Sequence, residues 1–124
     1  MTIKKAMQCA KTAIDKKAEN LKLLDLSKIS GFTDYFLICS AISDRQVKAI
    51  CNAIEMTMNQ QNHDPISIEG YNDGRWIVMD YADIVIHVFM DSVREYYHLE
   101  TLWGDAKRVP IPQEFYTTMT SRFN

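Results

Sequence analysis

The sequence predicts an α/β fold in a single domain with about five strands flanked by helices, and three observations carry that prediction. Apolar residues recur at three- and four-residue steps over residues 3–22 and again after Ser43, the spacing of a helix with one buried face. Several short runs, rich in β-branched or aromatic residues and too brief for helices, read as strands. A strand at 35–39, a helix from Ser43 and a strand at 66–68 have the order of a β-α-β unit, whose crossover is right-handed almost without exception.

Each element has its own justification. Ile3, Met7, Ala10, Ile14, Ala18 and Leu21 form one stripe with lysines between them, so residues 3–22 are expected as an amphipathic helix. Residues 23–29 alternate apolar positions with Asp25 and Ser27, as in a strand with one wet face. After Gly31, the unbroken apolar run 35–39 suits a strand covered on both faces, near the sheet centre. Ser43 and Gln46 have capping-box spacing, in which the hydroxyl takes the Gln46 N–H and the Gln46 side chain reaches back. Val47, Ile50, Cys51, Ile54 and Met58 give the following helix its apolar stripe, and the amides at 59–62 weaken it before Pro65. Asn72-Asp73-Gly74 supplies a turn into a strand at 76–80, and Tyr81-Ala82-Asp83 reverses the chain into a strand at 84–89. Along that last strand Ile84, Ile86 and Val88 face one way, and Val85, His87 and Phe89 the other. Ser92 with Glu95 marks a second capping box and a short helix through Tyr96 and Tyr97. Residues 1–106 form the domain, and 107–124, opened by Pro110 and Pro112, read as a tail.

Composition narrows the function. A hydrophobic fraction of 47% and a charged fraction of 24% are those of a soluble globular protein. No run approaches a membrane span and residues 1–20 lack an apolar signal region, so the expected location is the cytoplasm, with no membrane partner. Cys9, Cys39 and Cys51 are odd in number and far apart, which disfavours a disulfide framework or zinc site and suits small buried residues. Net charge is only -2, but residues 1–30 carry seven Lys against three acids and the remainder seven Lys or Arg against thirteen. Lysines without interleaved aromatics do not suggest specific nucleic-acid recognition. The plainer reading of the basic segment is a solvated helix face.

The stretch 75–106 places unusual residues on predictable structure. Asp80, Asp83 and His87 invite a metal reading, yet His87 lies about 13 Å along the strand from Asp83 at ~3.3 Å per residue. The acids therefore read as turn carboxylates and the histidine as a hydrogen-bonded core residue, with no metal and no cofactor expected. No nucleophile elbow, phosphate loop or dinucleotide glycine pattern occurs, so no catalytic residue is assigned. What remains is a late group of Trp76, Tyr81, Tyr96, Tyr97 and Trp103, with Glu69, Arg94 and Glu100. Trp, Tyr and Arg dominate binding hot spots because a large rigid surface is ordered at small entropic cost. The plainer alternative is that some of them, Tyr96 above all, are core.

Five motifs then carry a resemblance. Thr33-Asp34-Tyr35-Phe36; Ser43-x-Arg45-Gln46-Val47-x-Ala49-Ile50; Glu69-Gly70; Trp76-x-x-x-Asp80-Tyr81-x-Asp83-x-Val85-x-His87-x-Phe89; and Arg94-x-Tyr96-Tyr97-x-Leu99-Glu100-x-Leu102-Trp103-Gly104-Asp105-Ala106 occur in that order. Over roughly residues 3–106 the chain resembles the ribosomal silencing factor, or Iojap, family. It departs at Ala41-Ile42 and Asp44, where Gly-Thr and Asn are frequent, and at Ala82, where Gly is usual. The resemblance implies a mixed sheet similar to the nucleotidyltransferase fold. It also implies a non-enzymatic role, in which the protein binds the large ribosomal subunit through its protein number fourteen, blocks subunit joining and represses translation under nutrient limitation. Glu69, Trp76, Tyr81, His87, Glu100 and Trp103 are the expected contact residues or their immediate support. The alternative is a metal-dependent nucleotidyltransferase-like enzyme, which would need a Gly-Ser motif that this chain lacks; fold similarity alone supplies no function. A homodimer used as an assembly scaffold is a third reading.

Overall fold

The computed structural model describes residues 2–29, 31, 33–93 and 106–116. In chain order the elements are α1 (Thr2–Asp15), β1 (Glu19–Asp25), β2 (Tyr35–Ala41), α2 (Asp44–Asn59), β3 (Ser67–Glu69), β4 (Trp76–Asp80), β5 (Ile84–Met90) and β6 (Lys107–Val109). Among the described residues they form one six-stranded mixed sheet of order β3-β4-β5-β2-β1-β6, in which only the central β2–β5 pairing is parallel. The expected β-α-β unit is present: β2 and β3 run the same way, but two strands separate them.

Both α1 and α2 cover one face of the sheet. Ala6, Cys9, Ala10, Ala13 and Ile14 of α1 and Val47, Ile50, Cys51, Ile54 and Met58 of α2 pack there on Leu23, Leu37, Ile77, Met79, Ile84 and Ile86. The small residues of α1 allow close approach, and the stripe expected on α2 is the one buried. All three cysteines are buried free thiols. The second face carries Leu24, Leu26, Phe36, Ile38, Val85 and Phe89, with Trp76, Val78, Val93 and Ala106 packed against them. β5 thus presents alternate residues to the two faces, as its sequence alternation requires.

Four expectations are corrected. The first helix ends at Asp15 rather than at residue 22, and β1 spans Glu19–Asp25 rather than 23–29. Lys17 adopts a left-handed φ of 66°, and the Lys17 N–H to Ile14 and Ala18 N–H to Ala13 bonds close the helix in a Schellman arrangement. Glycine usually fills that position, so the stop is silent in the sequence. At Ser43 the hydroxyl accepts the Gln46 N–H at 3.1 Å as expected. Gln46 does not reach back to Ser43: its Oε1 accepts the Ile42 N–H at 3.0 Å and its Nε2 donates to the Lys17 carbonyl at 3.1 Å. The sheet has six strands rather than about five, because residues read as tail supply β6 on the free edge of β1. Residues 91–93 are helical; the rest of the expected short helix, with Glu95, Tyr96 and Tyr97, lies outside the described residues.

Candidate functional site

Strand register assembles the candidate site on the second sheet face. Glu69 pairs with Val78, Val78 with His87, and His87 with Ile38, so these four share a row across β3, β4, β5 and β2. The neighbouring row pairs Trp76 with Phe89. Trp76 is half-buried and stacks on Phe89 with ring centroids 4.9 Å apart at 23°. Its indole Nε1–H donates to His87 Nδ1 at 3.2 Å. The His87 ring in turn lies 4.7 Å from Phe36, tilted by 58°.

His87 is only 6% exposed, and burial holds its pKa down at about 4. A neutral imidazole that accepts at Nδ1 must carry its proton at Nε2, an atom with no hydrogen-bond partner among the described residues. The histidine therefore serves the tryptophan, holding the indole through its Nε1–H while Trp76 stays half-buried. Glycine makes the strand entry possible. Gly70 has φ +84°, and a Cβ there would fall 2.1 Å from the Trp76 carbonyl oxygen, so only glycine fits beside this residue.

The expected site residues are thus divided. Glu69, Trp76 and His87 come together on the second face, Glu69 exposed on the edge strand. Tyr81 does not join them: it is 4% exposed and belongs to the helix-covered core, where burial and the neighbouring Cys9 raise its phenol pKa well above the usual range. Its hydroxyl has no partner among the described residues. Glu100 and Trp103 lie outside the described residues, as does Arg94, although Val93 and Ala106 to either side of that stretch pack on the second face.

The tip acids have structural partners. Asp80 Oδ1 accepts the Ala82 N–H at 2.8 Å, holding a turn in which Ala82 has φ 72°. Asp83 Oδ1 lies 2.9 Å from Lys5 Nζ, on the α1 side of the sheet and away from His87. Among the described residues no three His, Cys, Asp or Glu side chains are grouped to share a metal ion, and no helix is long and apolar enough to cross a membrane. Phe36 and Gly70 are the participants that sequence reasoning missed, and Phe89 is one it placed on the right face without assigning it to the site. Alternation already put Phe89 beside His87; Phe36 required the β2–β5 pairing, and Gly70 its positive φ.

Comparison with known proteins adds an independent line. Residues 1–123 match the family described as "Ribosomal silencing factor during starvation", so the match runs well past residue 106, where the five motifs stop. A protein named ribosomal silencing factor RsfS from Halalkalibacterium halodurans is 40% identical over 112 residues, covering 90% of this chain and 96% of its own. The Bacillus subtilis protein of the same name is 45% identical over 92 residues, covering 74% and 78%. A crystal structure of a Chromobacterium violaceum protein superposes with a TM-score of 0.82 at 28% identity, over 91% of this chain and 97% of that one.

Proposed function

This chain belongs to the ribosomal silencing factor family, and we propose that it acts by docking its second sheet face on the large ribosomal subunit, at the subunit's protein number fourteen. Bound there, a rigid domain obstructs joining of the small subunit and lowers translation when nutrients are scarce. The observation that carries this reading is Trp76, a half-buried indole held by stacking on Phe89 and by a hydrogen bond to His87. An aromatic whose orientation is set before binding loses little entropy on contact, which is what a hot-spot anchor requires. Glu69 on the adjoining edge strand adds charge, and the chain outside residues 1–30 is acidic, suiting a basic ribosomal protein whose encounter complementary charge accelerates.

Co-sedimentation with isolated large subunits tests it. The parent protein is expected to sediment with them and to reduce the fraction of joined ribosomes when small subunits are added. Trp76→Ala is expected to bind roughly thirty-fold more weakly, the loss typical of a hot spot worth about 2 kcal/mol. A folded Trp76→Ala protein with parental affinity would remove the anchor, and with it this docking face.

A further inference from the structure

The helix layer is as basic as residues 1–30, and the fold places its cations on one side of the sheet. Residues 2–17 and 44–59, the helix layer with the turn that ends α1, carry seven Lys and Arg against three Asp and Glu, whereas the rest of the chain carries seven against thirteen. Both helices lie on the same sheet face and run antiparallel: Thr12 Oγ1 is 3.1 Å from Thr57 Oγ1, and Gln46 Nε2 donates to the carbonyls of Lys16 and Lys17. The end of α1 and the start of α2 are thereby brought side by side. Lys16, Lys17 and Arg45 are exposed there, and Lys48 one turn on donates to the Asn72 carbonyl at 3.1 Å. Of the acids at this end, Asp15 is paired with Lys11 at 3.0 Å, Asp44 accepts the Arg45 backbone N–H at 2.9 Å, Asp73 is paired with Arg75 at 2.9 Å, and Glu19 is exposed at the start of β1. A groove of about 520 Å³ between the helices, lined by Lys16, Ala49, Asn52 and Met56 among others, adjoins the cluster.

We propose that this basic end of the helix layer is a second contact surface, which takes the phosphate backbone of RNA without reading its bases. Backbone contact needs exposed cations and little else, whereas base readout in single strands needs free aromatic faces. The aromatic next to the cluster, Tyr71, is already engaged: its hydroxyl donates to Asn52 at 3.1 Å and Lys48 Nζ sits 5.6 Å from its ring centre. The cluster lies across the sheet from Trp76. One small domain can therefore hold a protein with its sheet face and RNA with its helix layer. Naming ribosomal RNA as the partner rests on the ribosome-binding reading above; the phosphate chemistry does not.

Binding of the full chain to protein-free large-subunit RNA across a salt series separates the two. The parent is expected to bind at low salt with a steep salt dependence. The triple variant Lys16→Gln, Lys17→Gln, Arg45→Gln is expected to lose roughly tenfold or more and to flatten the log-affinity slope by about two to three, at about 0.7–0.9 per neutralised charge. A control neutralising the exposed Lys28, Lys107 and Arg108 is expected to keep most of the slope, and Trp76→Ala to bind this RNA like the parent, so loss of protein docking leaves the RNA arm intact. Parental affinity and slope in the triple variant, an equal loss in the control, or binding to phosphatidylglycerol vesicles in place of RNA would each overturn the proposal.

Discussion

Burial keeps His87 neutral, and the consequence is readable in pH. In an unfolded chain the imidazole titrates near about 6.5, but in the fold its pKa is about 4 because burial penalises the cation. Between those values the unfolded chain binds more protons, so this contribution to stability is whole above about pH 6.5 and is lost as pH falls toward 4. Fully expressed, the gap is on the order of 3 kcal/mol. Denaturant midpoints from pH 7 to 4.5 should therefore fall more steeply for the parent than for His87→Phe, and parallel curves would contradict a neutral buried histidine. Tyr81 is the contrasting case. Its buried hydroxyl has no partner among the described residues, and such a group costs about 1–3 kcal/mol, so Tyr81→Phe should leave stability equal or higher and large-subunit binding unchanged. A drop in subunit binding at parental stability would instead return Tyr81 to the contact surface.

Among the elements, those whose signal is local were legible and those set by an unexpected backbone conformation were not. α2, β4 and β5 match their apolar patterns, because each buries a stripe or alternation that the sequence displays. The end of α1 was misplaced because Ala18 and Leu21 continue a helical spacing by coincidence; Lys17 turns left-handed, and Leu21 then faces the core from a strand. Gly70 shows the same effect at the site. Adding a Cβ at Gly70 meets the Trp76 backbone at 2.1 Å, whereas at Gly74 the nearest atoms are the Asp44 and Lys48 side chains at 3.0 Å. Both glycines have positive φ, so both substitutions are strained, but only the first must move β4. Gly70→Ala should cost more than about 2 kcal/mol and weaken large-subunit binding with it, against about 1 kcal/mol for Gly74→Ala. Equal losses in chemical denaturation would show that the Trp76 strand entry is not so constrained.

On the scale of the whole molecule, the sheet has a helix-covered face that could be foreseen from periodicity and a second face that depends on strand order. His87 and Trp76 could be placed on strands from alternation alone, but their contact with Phe36 and the row through Glu69 follow from β2 lying beside β5 and β3 beside β4. The same limit explains β6, since three residues beside two prolines carry no strand signal until a neighbour's free edge is known. Those residues bind the chain end into the fold. β6 pairs with Leu23, Leu24 and Asp25 of β1, Val109, Ile111, Phe115 and Tyr116 pack on the helix-side core, and Lys11 Nζ lies 5.8 Å from the Phe115 ring centre. Ending the chain after Ala106 would leave the outer edge of β1 unpaired and strip four partly buried apolar side chains, a loss of about 3–6 kcal/mol if each contributes about half of the 1.5–3 kcal/mol of full burial. The truncated protein should melt well below the parent and expose β1 as a pairing edge, so self-association rising with concentration is expected alongside the lower midpoint. A truncated chain that remains monomeric and melts with the parent would mean that residues 107–116 lie on the domain without stabilising it.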